Sequence, residues 1–587
     1  MPALRRSRLL VVALALPLAA PASAQPAGYR SITPVPTAQK VVLTGDDLTV
    51  DELIRVARGG ARVELGAAAR RRNADTYGLM LQAAAEGVPV YLFNRGAGSN
   101  RSVVTFSGDP QAPVNKAKLE AQALRQFRNG AVSGAGPEVA EEATVRAQML
   151  VRANGLTYEA GSPELLQMLV DMLNAGITPV VQTRGGTGEA DGPYNGNINA
   201  AMVGAGDAYL HGTRMPAAQA LAQAGLKPLV PQIGDGTVST TNAFATAQAA
   251  LLVDEARQLL EWTDIVYAMD LNAMNSSITP LFAPVQDNRP FAWLNWQAAR
   301  VREMIAGSYL FAPDEARIIQ DPESLRASAI RQGSAWESWG RLKKTVEIQL
   351  NRSDHNPAVR PGYSARTAPH LASGQAMTYF VKGGPRSGGR SGYIFSNANW
   401  DWYPIGNDVE AFTSALSNMM VAVLLRQDRF GNSFFTVVKP ADVLGNDAAG
   451  APQGNTKIAT DAYQEVQALA MPIAPAGFAI VSTVEDLQGQ SRLKVARARA
   501  AVDASWHVLG QDLLTAAYWM DLRRRQKPDR RFGAVPTAAW AALRTVVPWR
   551  TAGAAEATPA ESVANLAYKF MTTTPASRFV ALGKLPR

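Results

Sequence analysis

Arg184-Gly185-Gly186-Thr187-Gly188-Glu189-Ala190-Asp191-Gly192-Pro193-Tyr194 lies between a helix-like segment and a long Ala-rich tract, and the rest of the chain is organised around it. Its four glycines mark backbone that must turn tightly and approach something closely, which few side chains permit. Before it, residues 162–175 read as a helix. Ser162 is a favoured N-cap, Pro163 suits the first turn, Glu164 is an early acid, and Leu165, Leu166, Leu169, Val170 and Leu173 form an apolar stripe that Gly176 ends. After it come Asp235-Gly236 and the Ala-rich residues 243–262, apolar nearly all round, as expected of a helix deep in a bundle.

Working outward, 587 residues with 47% hydrophobic content can bury one large core or two. Arg5, Arg6 and Arg8 precede an apolar run from Leu9 to Ala20, and Ala22-Ser23-Ala24 follows with the small residues of a cleavage site. This predicts a signal peptide over 1–24, cut near Ala24, and a periplasmic or secreted protein. No other stretch reads as long and apolar enough to span a bilayer, so no membrane contact is expected after cleavage. The chain has no cysteine, so packing alone must stabilise it in an oxidising space. Losing the three signal arginines lowers the formal charge of +9 to +6. The basic cluster Arg523-Arg524-Arg525-Gln526-Lys527 with Arg530 and Arg531 reads as a solvated helix end, and no nucleic-acid partner is expected. Four histidines without ligand spacing, His211, His355, His370 and His507, predict no metal site.

The flanking runs carry a resemblance. Asn174-Ala175-Gly176-Ile177-Thr178-Pro179-Val180-Val181 and Gly212-Thr213-Arg214-Met215-Pro216-Ala217-Ala218 resemble the segments around the electrophile loop of histidine, phenylalanine and tyrosine ammonia-lyases. Val88-Pro89-Val90-Tyr91-Leu92-Phe93-Asn94-Arg95-Gly96-Ala97-Gly98 is similar to that family's Val-Tyr-Gly-Val-Asn-Thr-Gly-Phe-Gly loop, with Tyr91 on the catalytic tyrosine and Asn94 on the asparagine. Gln320-Asp321-Pro322-Glu323-Ser324-Leu325-Arg326 resembles Gln-Asp-x-Tyr-Ser-Leu-Arg, in which the arginine clamps the substrate carboxylate. A guanidinium fork suits that task, so Arg326 is the expected clamp, and Glu323 replaces a site tyrosine. Glu347-Ile348-Gln349-Leu350-Asn351 with Asn356-Pro357 matches a further segment, with His355 in place of an aspartate. Ser396-Asn397-Ala398-Asn399-Trp400-Asp401 lies on Ser-Gly-Gly-Asn-Phe-His, keeping Asn399 and exchanging the histidine for Asp401. Thr483-Val484-Glu485-Asp486 aligns with Asn-Gln-Glu-Asp and keeps Glu485. Thr241 or Asn242 falls near the substrate-binding asparagine, and Gly130 and Ala131 stand where the family discriminates between rings.

The resemblance implies a mainly α, ammonia-lyase-like fold of the fumarase/aspartase type. It divides the chain into a leader at 25–47, a smaller N-terminal mixed domain at 48–235, a long central helix bundle at 236–522 and a helical extension at 523–587. Residues 115–153 read as helix broken at Gly130 and Gly134, and 381–392 as a mobile loop. Family members are homotetramers whose sites draw on several subunits, and the same is expected here.

In that family an Ala-Ser-Gly triplet cyclises and dehydrates to methylidene-imidazolone (MIO), the electrophile that helps the amine leave. Here Glu189-Ala190-Asp191 hold the triplet positions, without a serine to dehydrate, so no MIO and no other cofactor is expected. Tyr91 and Glu485 are the expected proton-transfer residues. Glu189, Asp191, Glu323 and Asp401 are new acids at site positions, able to hold a cation or, with a raised pKa, to act as general acid. Arg326, Asn399, Asn94, Asp401, Gly130, Ala131 and Asn242 are the expected substrate contacts. Three readings stay open. One is a lyase acting on an amino acid or betaine whose leaving group needs no activation, for which ergothionase-type trimethylamine elimination is a precedent in kind. The others are a carbanion-type isomerase or cyclase and a non-catalytic amino-acid-binding protein.

Overall fold

The structure, a computed structural model, describes residues 28–445, 453–549 and 561–586. The expected signal peptide at 1–24 lies outside them. Five helices build the bundle: α1 (Ala243–Met274), α2 (Ser328–Leu350), α3 (Tyr403–Arg429), α4 (Thr456–Ala470) and α5 (Ser491–Gln526). The 32 residues of α1 span about 48 Å and the 36 of α5 about 54 Å. Helix α1 is buried on nearly every face, because its alanines let α5, α2 and the helix Glu142–Gly155 approach closely. Asn275, in the left-handed region at φ 63°, ends α1.

The start of the expected extension is not simply solvated. Arg523 is only 3% exposed and donates to the carbonyls of Ala273, Met274 and Thr436, so it satisfies the end of α1 and is part of the core. Arg524 and Arg525 lie over the rings of Trp540 and Trp549. Helix α3 is, by length and composition, apolar enough to cross a membrane, contrary to the sequence reading. Its apolar residues pack against α2, α4 and α5.

The N-terminal part mixes helices with short strands. Ser162 Oγ accepts from Leu165 N at 3.1 Å, capping Pro163–Asn174 as expected. Residues 115–153 are not one interrupted helix. The helix Pro113–Asn129 gives way to a strand, Ala135–Glu138, whose antiparallel partner Gln182–Arg184 supplies the hydrogen bonds a helix would have supplied internally. This pairing leads the chain directly into the loop at 185–191. A second sheet, Ile177–Pro179, Asp207–Leu210 and Thr213–Pro216, supports it from below. The loop at 381–392 is tied down: Glu86 accepts from Lys382 N and Gly383 N at 2.8 and 3.0 Å, Gln82 accepts from Arg386 N at 3.1 Å, and Arg386 pairs with Asp109 at 2.7 Å.

Candidate active site

The loop is fixed at both ends by residues distant in sequence. Gly186 N donates to the Tyr194 hydroxyl at 2.9 Å, and Gln490 N donates to Thr187 O at 3.0 Å. Gly188 has φ +98°, and a Cβ there would stand 2.5 Å from Gln490 N, so only glycine lets the loop approach the start of α5. Asp191 is fully buried. Its N–H donates to Thr241 O at 2.9 Å, and its Oδ2 accepts from Ala245 N at 3.0 Å in the first turn of α1. The carboxylate therefore faces the positive end of a long helix. Burial pushes its pKa up to about 7, against the bond from Ala245.

Glu189 points the other way. It is 5% exposed and lies in hydrogen-bonding contact with Glu485, while Gln488 Nε2 donates to its Oε1 at 3.2 Å. Burial first and Glu485 second raise its pKa to about 7. Its Oε2 is buried without a partner. Glu485 reaches it on a hairpin arm in which Ile480 and Glu485 exchange backbone hydrogen bonds. Val481, Ser482 and Thr483 turn that arm at φ 48°, 54° and 69°, three successive residues in a region unfavourable to side chains. Such strain persists where surrounding contacts dictate the turn. A Cβ on Gly98 would stand 2.7 Å from Val481, so the arm touches the Tyr91 loop. In that loop Gly98 N donates to the Tyr91 hydroxyl at 3.1 Å and fixes its direction.

The other expected contacts divide into two clefts. Asn399 and Asp401 line one of about 610 Å³ together with His355 and Asp354. Asp401 Oδ1 accepts from Tyr403 N at 3.0 Å, capping α3. Asn242 borders this cleft from α1: its N–H donates to Asp354 Oδ2 at 2.9 Å and its amide donates to Trp400 O. Arg326 and Glu323 line a second cleft of about 590 Å³ with Gln320 and Ser277. Arg326 Nε donates to the Asp321 backbone carbonyl at 2.6 Å, and Arg326 lines the cleft without an ion pair to the Asp321 carboxylate among the described residues.

The expected four-acid cluster is thus not formed within one chain. Glu189 and Asp191 face opposite sides of the loop, and Asp401 and Glu323 line different clefts. Asn94 also departs from expectation, since its amide accepts from Val90 N at 2.7 Å and donates to Val88 O at 2.8 Å, both inside its own loop. Gly130 is a packing glycine: a Cβ would stand 2.1 Å from Gly196 O, and its carbonyl accepts from Asn197. Ala131 sits beside Gly206, whose Cβ would lie 3.4 Å away.

Sequence reasoning missed a buried polar group beneath the first cleft. Thr240 Oγ1 and His355 Nδ1 lie 2.9 Å apart, and burial lowers the histidine to about 4, so the ring is neutral. Ser353 donates to Glu159 at 2.9 Å, and burial raises that carboxyl to about 8. The exchange of aspartate for His355 was the one available signal. Gln488, three residues after Glu485, had none. Among the described residues no group of three or more His, Asp or Glu side chains is placed to hold a metal ion.

Comparison with known proteins agrees with this architecture. The sequence profile for aromatic amino acid lyases matches residues 48–545. The chain is 27% identical to a histidine ammonia-lyase of Stigmatella aurantiaca over 518 residues, covering 86% of this chain and 92% of that protein. It is 32% identical to that of Geobacillus kaustophilus over 324 residues, 54% of this chain and 62% of that protein. Its fold is similar to ergothionase from Treponema denticola, solved with desmethyl-ergothioneine sulfonic acid, at TM-score 0.76 and 23% identity, covering 91% of this chain and 99% of that one. Phenylalanine aminomutase of Pantoea agglomerans superposes at TM-score 0.75 and 19% identity, covering 91% and 98%. A profile match over most of the chain, on a fold shared with solved lyases and aminomutases, leaves one assignment: this chain belongs to the aromatic amino acid lyase family.

Proposed function

We propose that this chain is an exported carbon–nitrogen lyase that eliminates an amine from an aromatic or imidazole α-amino acid without MIO, with a quaternary ammonium such as trimethylammonium as the departing group. The observation that carries this reading is the Glu189–Glu485 carboxyl pair, which stands at the electrophile position and touches the Tyr91 loop through its hairpin arm. The loop residues do not fit MIO. Residue 190 is alanine, and the Asp191 nitrogen, which would have to attack a carbonyl to close the ring, is held by Thr241 O at 2.9 Å.

A carboxylate in a dry pocket attracts a trimethylammonium group, and a quaternary amine leaves as a neutral molecule without further activation. Tyr91, as the base, takes the proton beside the ring, the C–H electron pair forms the double bond, and the C–N pair departs with nitrogen. Arg326 holds the carboxylate bidentately. Among the described residues Tyr91 does not line the Arg326 cleft, so the reading requires a homotetramer in which one copy's Arg326 cleft faces another's loop. Export follows from the signal-like residues 1–24.

Incubation with aromatic α-amino acids and their N-trimethyl betaines tests the proposal by ultraviolet absorbance. The betaines yield a conjugated acid and trimethylamine, and the primary amines yield nothing. Product from the primary amines, with loss of two waters from residues 185–192 by mass spectrometry, would sink the MIO-independent reading. Ligand-induced melting shifts without any product would favour a binding protein.

A further inference from the structure

A third cavity, of about 290 Å³, lies behind the loop between the starts of α1 and α5. Phe244 and Gln248 reach it from one face of α1, four residues apart, and Arg492 reaches it from the first turn of α5. Thr183 on the strand entering the loop and Thr144 complete the wall. Arg30 stands at the rim, held there by Arg30 N donating to Ala140 O at 2.7 Å and Glu142 N donating to Arg30 O at 3.1 Å.

Most polar groups here are already engaged. Thr144 donates to Glu141 at 2.8 Å, Glu141 is paired with Arg499 at 2.8 Å, and Thr183 donates to the Pro137 carbonyl at 2.9 Å. Three groups are not. Arg492 Nε is buried without a hydrogen-bond partner. The Gln248 side chain, 9% exposed, lines the cavity and makes no hydrogen bond among the described residues. Arg30 forms no ion pair among them. Two guanidinium groups and an amide are therefore left beside the ring of Phe244, which stacks tilted on Tyr194 at 4.3 Å. Unspent donors and positive charge call for an acceptor that is negative, and the guanidinium fork fits a carboxylate. The apolar side of the cavity, at Phe244 and Ala496, fits a flat hydrocarbon.

We propose that this cavity is a binding site for a small aromatic carboxylate, held by Arg492 and Gln248 and separate from the Arg326 clamp. The proposal does not depend on the lyase reading, since it concerns binding and not turnover.

Calorimetry of the full chain with cinnamate tests it. A saturable cinnamate site persists in Arg326→Ala and weakens at least tenfold in Arg492→Ala, in Gln248→Leu and, to a smaller degree, in the rim variant Arg30→Ala. Unchanged melting of Arg492→Ala, Gln248→Leu and Arg30→Ala separates lost binding from misfolding, and the last two keep the test valid should Arg492→Ala fail to fold. Cinnamamide, which lacks the charge, binds at least tenfold more weakly. Absence of any site in Arg326→Ala, indifference to Arg492 and Gln248, or inorganic phosphate binding as tightly as cinnamate would each overturn the proposal. A protein that forms no product yet keeps the Arg492-dependent site would count against the lyase reading alone.

Discussion

Among the described residues, two pairs of carboxyl groups touch each other, and they are built differently. In the bundle, Asp270 of α1 and Asp512 of α5 flank Arg426 of α3, at 2.6 and 2.9 Å, with all three side chains fully enclosed. Burial and mutual repulsion raise Asp270 well above the ordinary carboxylate range, so one guanidinium and one shared proton balance the two acids. At the loop, the groups acting on Glu189 are Glu485, Asp486 and Gln488, two of them acids. Its partner arrives on a strained arm that carries exposed Phe478, Val481, Val484 and Leu487. Among the described residues, the same contact is neutralised by a guanidinium in one region and has no cation paired with it in the other. The first fixes helices.

The largest effect expected of any single change lies on the loop side. Tyr91→Phe lowers product formation by about 10²–10⁴-fold and leaves the denaturation midpoint unchanged. An equal loss of stability would move Tyr91 into the structural class. On the bundle side, Arg426→Met leaves two carboxyl groups without their cation and costs about 3–5 kcal/mol in urea unfolding, with the rate per folded molecule retained. A cost below about 1 kcal/mol would erase the contrast, because an exposed pair is worth that little.

Glu189→Gln sharpens the comparison through pH. Below about 7 the wild-type pair holds its proton, so affinity for a cationic substrate rises as pH passes through about 7, changing by about tenfold per unit beneath it. The variant gives a flat profile.

The smallest effect belongs to Asp191. Its folded pKa of about 7 lies above the ordinary 3.8, so the folded chain holds this proton more tightly than the unfolded one. The associated stability is complete below about 4 and is lost as pH rises through about 7. Asp191→Asn keeps an acceptor for Ala245 N and flattens that interval in melting curves taken from pH 4 to 8. Asp191→Ala loses the acceptor as well and costs about 1 kcal/mol more.

Local signals made much of the scaffold legible. The alanines of residues 243–262 announced the deeply buried α1, and Ser162-Pro163-Glu164 announced a helix start that the structure reproduces. Arg326 lines a cleft, and the Tyr91 hydroxyl accepts from Gly98 N. Asn94 and Gly130 shared those motifs but are consumed by the backbone around them, a distinction that motif spacing does not carry. The strand Ala135–Glu138 was hidden because its partner is more than forty residues away. Arg523 looked solvated because its three carbonyl partners come from other segments.

The family and the helical bundle were legible from the chain alone, since each is written in short runs whose composition and order are local properties. Folding brings Glu189 to Glu485, turns Asp191 away to the start of α1, and sets Arg492 and Gln248 on the wall of one cavity. Burial and hydrogen bonding between residues hundreds of positions apart assign each carboxyl its charge, and those distances exist only once the chain has folded.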